Sequence, residues 1–212
     1  MADGERKVKP RRRSKLPSLG MSCTSTDCDN DLHCFRHARR KANPRGPCRN
    51  CGADLVDWPR VTSRDVEDVA NTFAALQHER IRHHYWHTEI DQKALNYARR
   101  KGRIELAAAI KHRLSKVVAG AEPYRDGTQT PFSDNIIYYA QHATASCCRK
   151  CIEEWHGIER GREMREEEIT YLTTLAMGYI EMRLPDLPSL GQKVSAIRRQ
   201  RGGSDDDQPI GH

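Results

Sequence analysis

Between residues 63 and 184, apolar positions recur at three- and four-residue spacing, the period of a helix that buries one face. Val66, Val69, Phe73 and Leu76, continued by Arg80, fall on one stripe. Ser63 supplies an N-cap ahead of them, and Asp65 and Glu67 make an acidic first turn. The spacing predicts a helix from there to about 87. A second helix is predicted from 91 to about 101, where Gly102 weakens it. A third, over 104–118, is carried by Leu106, Ile110, Leu114 and Val117. Pro123, Gly127 and Pro131 mark 120–135 as a loop. The short apolar run 136–139 reads either as a strand or as the start of a buried helix. Residues 147–156 predict a short helix. The segment 165–184 predicts a last one, with Ile169, Leu172, Ala176, Tyr179, Ile180 and Arg183 along one side and Pro185 and Pro188 ending it.

Outside this stretch the periodicity disappears. Residues 1–20 are predicted as a disordered basic arm carrying Arg6, Lys7, Lys9, Arg11, Arg12, Arg13 and Lys15 against Asp3 and Glu5. Residues 21–60 are rich in Cys, His, Gly and Pro and read as a small metal-tied module. Residues 63–188 form a helical domain, and 189–212 a disordered polar tail. The predicted fold class is mainly α: a small zinc-knuckle module followed by an α-helical domain.

Composition adds two constraints. Hydrophobic residues make up 37% of the 212 positions and aromatic ones 6%, a modest core that a metal can supplement. The net charge of +7 suits an anionic partner without identifying it. No apolar run follows the basic arm as in a secretory signal, and no stretch approaches the ~20 apolar residues that span a bilayer. The expectation is a soluble, cytoplasmic protein without a membrane contact.

The eight cysteines fall in two groups: Cys23, Cys28, Cys34, Cys48 and Cys51, then Cys147, Cys148 and Cys151. In a reducing cytosol, thiolate–metal sites are favoured over disulfides. Cys48-Arg-Asn-Cys51-Gly52 is the strongest local signal, since two thiolates two residues apart can wrap one ion and the glycine lets the backbone turn back. Tetrahedral zinc needs two more ligands from Cys23, Cys28, His33, Cys34 and His37. The preferred set is Cys28, Cys34, Cys48 and Cys51. The nearby Arg39, Arg40 and Arg49, together with Arg11, Arg12 and Arg13, are candidate contacts to the phosphates of DNA or RNA, or a solvated basic surface.

Two further clusters carry candidate chemistry. Glu79, His83 and His87 share a helical face at i, i+4, i+8, suited to a divalent ion or simply to packing and a helix C-terminus. The segment from His142 to His156 places Cys147, Cys148 and Cys151 between two histidines. His142, Cys147, Cys151 and His156 are the candidate ligands of a second zinc site. A reactive thiol and plain packing of small cysteines are the rival readings.

The same segment resembles a small uncharacterised bacterial family of unknown function. The matching positions are Gly127, Gln129, Thr130 and Pro131; His142 to Thr144; Cys147 to Arg149; Cys151; and Trp155, His156, Ile158 and Gly161. The resemblance covers about 126–184 and implies a coherent unit, but no activity. Three functions remain open: a zinc-binding protein that binds nucleic acid, a metal-assisted enzyme using the second Cys/His cluster, and a scaffold whose metal serves folding alone.

Overall fold

The computed structural model describes residues 19–36 and 45–195. Arg11, Arg12, Arg13, His37, Arg39 and Arg40, with the other arm residues up to 18 and the tail from 196, lie outside the described residues. The protein is mainly helical, and a Cys/His-bearing segment precedes the helical body. In chain order the helices are α1 (Trp58–Thr62), α2 (Val69–Gln77), α3 (Arg80–His87), α4 (Gln92–Arg113), α5 (Ile136–Ala143), α6 (Arg149–His156) and α7 (Glu166–Arg183). Among the described residues no helix is long and apolar enough to cross a membrane.

The stripe from Val66 onward is interrupted twice. Asp57 caps α1, its side chain accepting from Arg60 N, so Ser63 ends a short helix instead of starting a long one. A single 3-10 turn at Val66–Asp68 then leads into α2. The second break is at Glu79, whose backbone is extended (φ −87°, ψ 122°). His33 fills that gap. Its N–H donates to the His78 carbonyl at 2.7 Å, and its carbonyl accepts from Arg80 N at 3.1 Å. The N-terminal segment thus supplies the hydrogen bonds that the interrupted helix gives up. Helical periodicity runs through Glu79 in the sequence because both flanking helices bury the same side.

The core lies between α3, α4, α5 and α7, with Tyr85, Leu106, Ile110, Leu114, Ile137, Leu172 and Tyr179 all buried. The 136–139 run resolves as the first turn of α5, whose N-cap Asn135 accepts from Ile137 N. Helix α7 in turn closes α3. Tyr179 Oη donates to the Tyr85 carbonyl at 2.6 Å, and the Arg183 guanidinium donates to the carbonyls of Tyr85, Trp86 and Thr88 at 2.6–2.8 Å. A cation on the last carbonyls of a helix satisfies acceptors and opposes the negative end of its dipole.

Gly102 is a kink inside α4 (φ 66°, ψ 172°). Chain from the C-terminal side crosses it: Arg103 N donates to the Pro188 carbonyl at 2.9 Å and Gln192 N to the Arg99 carbonyl at 2.8 Å. A Cβ at 102 would stand 2.4 Å from the Leu190 carbonyl carbon and 2.7 Å from Gly191 N. Both obstacles are backbone and cannot swing away, and the positive φ disfavours any side chain. Gly102→Ala is therefore expected to cost about 3 kcal/mol of stability in urea denaturation. A loss below about 1 kcal/mol would mean that the 188–192 crossing is not part of the folded state.

Candidate functional site

Two clusters of ligand-type side chains converge. The first joins Cys28, His33, Cys48 and Cys51, whose ligand atoms lie within 4.8 Å of one another. Cys28 Sγ and Cys48 Sγ are 3.9 Å apart, and Cys51 Sγ is 3.4 Å from His33 Nδ1. Zinc–sulfur bonds of about 2.3 Å and zinc–nitrogen bonds of about 2.0 Å make tetrahedral edges of about 3.8 and 3.6 Å. The other ring nitrogen, Nε2, lies 2.9 Å from Asp31 Oδ1. A carboxylate behind a ligating imidazole fixes the ring and directs Nδ1 into the centre. Asn50 adds two donors, its N–H to Cys48 Sγ and its side-chain amide to Cys28 Sγ, both at 3.4 Å. Burial opposes the Cys48 thiolate, but the amides of Cys51, Cys34 and Asn50 and the His33 ring outweigh it and hold the pKa down at about 6.

The structure brings Cys28, Cys48 and Cys51 together with His33 rather than with Cys34. The reason is the extended backbone, along which successive side chains point to opposite sides. With His33 facing the Cys48–Cys51 turn, Cys34 faces the core. It is fully buried, and its thiol donates to the Cys23 carbonyl at 3.3 Å. Desolvation pushes its pKa up to about 11 and keeps the proton it donates. Asp31 was the signal in the sequence that could have favoured His33. Arg49 is exposed beside this centre.

The second cluster is Cys147, Cys148 and Cys151, all buried, with sulfurs within 4.8 Å of one another. Cys148 is the N-cap of α6 and Cys151 lies in its first turns. The predicted partners His142 and His156 are held elsewhere. His142 Nε2 faces the carbonyls of Pro131 (3.1 Å) and Thr130 (3.3 Å), and its ring stacks on Tyr85. His156 Nε2 lies 2.9 Å from the Thr144 carbonyl, and its Nδ1 is 3.3 Å from Tyr171 Oη. Desolvation lowers both pKa values to about 4, so both rings are neutral near pH 7. Cys148, passed over in the sequence, takes the place the histidines were expected to fill.

A buried cation ties this cluster to the fold. Arg82 of α3 donates from Nε to Glu79 Oε2 (2.8 Å), from Nη1 to the His142 carbonyl (2.7 Å) and from Nη2 to Cys151 Sγ (3.1 Å), with Cys147 Sγ 3.8 Å from Nη1. Trp155 Nε1 also donates to Glu79 Oε2 at 2.9 Å. Glu79 therefore serves this node and is not on a metal face with His83 and His87. Those two rings stack on each other at 3.9 Å, with His87 Nδ1 2.8 Å from the His83 carbonyl.

Over the sulfur cluster lies a cavity of about 920 Å³. Cys147, Cys148, His142 and Phe132 form part of its wall, and the 120–132 loop covers one side. Lys116 and Arg125 also line it, and among the described residues no carboxylate does.

Removing one partner of a buried ion pair leaves an uncompensated charge. Arg82→Met is expected to cost about 3–5 kcal/mol in denaturant unfolding. Arg82→Lys should recover little of it, since an ammonium cannot reproduce the planar fork. Recovery to within about 1 kcal/mol by lysine would show that only the charge matters.

No solved structure matches the chain. A family model described as a domain of unknown function (DUF4186) matches residues 70–181, which takes in the sulfur cluster and most of the helical body but leaves out the Cys28/His33/Cys48/Cys51 segment. Spanning more than half of the sequence, this match establishes that the chain belongs to the DUF4186 family.

Proposed function

We propose that this is a zinc-binding protein whose first centre, Cys28/His33/Cys48/Cys51, is structural, and whose working site is the cavity over the sulfur cluster, taking a small organic anion. Four ligands leave a tetrahedral ion no open position, which is the character of a structural site. Zinc suits mixed thiolate and imidazole donors. By tying His33 to the Cys48–Cys51 turn, the ion holds the segment that fills the gap between α2 and α3.

The cavity carries the functional reading. Apolar groups such as Val117, Pro131 and Phe132 offer surface for an organic body, while Lys116 and Arg125 supply positive charge unopposed by a lining carboxylate among the described residues. Lys150 adds to that charge, its Nζ standing 3.5 Å from the Cβ position of Gly127. An apolar cavity with these cations at its wall is suited in size and charge to a small organic anion.

The test uses 1-anilinonaphthalene-8-sulfonate, an apolar anion of suitable size, titrated into the folded, metal-loaded chain. Saturable one-site fluorescence enhancement is expected, with affinity falling about tenfold or more in Lys116→Glu/Arg125→Glu at low salt. Equal affinity of the wild type and the charge-reversed variant would contradict the reading.

A further inference from the structure

Cys23 belongs to a tight turn. Ser25 N–H donates to the Ser22 carbonyl at 3.1 Å, and Ser22 Oγ lies 2.9 Å from Thr24 Oγ1. The Cys34 thiol, donating to the Cys23 carbonyl, pins this turn to the core. So held, the Cys23 thiol stands close enough to the Cys151 sulfur for the two to interact electrostatically. Met21, Ser22 and Cys23 border the same cavity as Cys147 and Cys148. Cysteines from two distant parts of the sequence thus border one cavity.

We propose that Cys23 joins Cys147, Cys148 and Cys151 in a second metal centre, a closed set of four thiolates around one zinc-like divalent ion. This goes beyond the reading of the cavity and does not depend on it.

The dimensions and the surroundings both support it. The Cys147, Cys148 and Cys151 sulfurs, all within 4.8 Å of one another, approach three corners of a tetrahedron around a single ion, whose edges are about 3.8 Å for zinc, and Cys23 borders the same cavity as two of them. The Arg82 guanidinium donates to Cys151 Sγ at 3.1 Å, and hydrogen bonding of this kind favours the deprotonated sulfur. The N-terminus of α6, where Cys148 is the cap, adds its positive end. Four thiolates and a divalent ion carry a net charge of −2, which these two features partly offset, and loading releases the thiol protons to solvent. A metal held this way clasps the 19–25 turn against α6 and forms one wall of the cavity. The distant Cys23 supplies the fourth corner that His142 and His156, held by carbonyls and Tyr171, do not.

The test is metal content per chain on full-length protein purified without chelator or histidine tag. The wild type is expected to carry two zinc ions, Cys51→Ser one, Cys23→Ser one, Cys148→Ser one, and Cys34→Ser two. Because serine in a buried site can unfold the chain, cobalt(II) loaded into Cys51→Ser provides a second readout of this centre alone. It should give strong sulfur-to-cobalt charge transfer and intense tetrahedral visible bands, which move to shorter wavelength on adding Cys23→Ser. Two zinc ions retained by Cys23→Ser, with unchanged cobalt bands, would overturn the assignment of Cys23. One ion in the wild type, lost in Cys51→Ser, would overturn the second centre altogether. Failure of the first centre reads differently: a single ion that survives Cys51→Ser and is lost with Cys23→Ser.

Discussion

The position of one buried cation constrains most of this structure. Arg82 stands at the junction of α3, α5 and α6, and its guanidinium reaches a carboxylate, a main-chain carbonyl and a sulfur at the same time. Bringing such a charge out of water costs several kcal/mol unless every donor is matched by a well-placed acceptor. That demand fixes Glu79 in the gap before α3, the last turn of α5 at His142, and the first turns of α6 at Cys151. Trp155 closes the node by donating to the same Glu79 oxygen and packs edge-on against Phe35 of the N-terminal segment. The N-terminal segment and the family domain are therefore continuous through a shared core.

The helices were legible where apolar spacing alone decides them. The last helix, the helix before Gly102 and the one after it follow from periodic burial, and the glycine marks a real kink. The break at Glu79 was not legible, because it exists only when His33, far away in sequence, pairs with both sides of it. Trp58–Thr62 was missed for a related reason: it is a single turn capped by Asp57, too short for periodicity to register. At the metal-type centres, the Cys48–Cys51 spacing was readable as a local turn. The choice of His33 over Cys34 depended on which side of an extended strand faces that turn. The choice of Cys148 over the histidines depended on carbonyls of the 130–131 loop and on Tyr171, which the sequence places nowhere near them.

The two sulfur-bearing centres stand in different relations to the family. The sulfur cluster of α6 lies inside the matched region, whereas Cys28, His33, Cys48 and Cys51 precede it. On the proposed reading, the first ion braces the segment that fills the α2–α3 gap, and the second clasps the Cys23 turn over α6. Both would hold the same stretch of chain against the helical body. The cavity lies where that stretch, the 120–132 loop and the sulfur cluster meet, so its shape would depend on the second ion being in place.

Zinc K-edge X-ray absorption on the metal-loaded chain tests the two-centre account most directly. One centre with three sulfurs and a nitrogen and one with four sulfurs predict an average first shell of about 3.5 sulfurs near 2.3 Å and about half a nitrogen per zinc. A first shell dominated by nitrogen or oxygen would contradict it, as would one of three sulfurs and one nitrogen at a single zinc per chain.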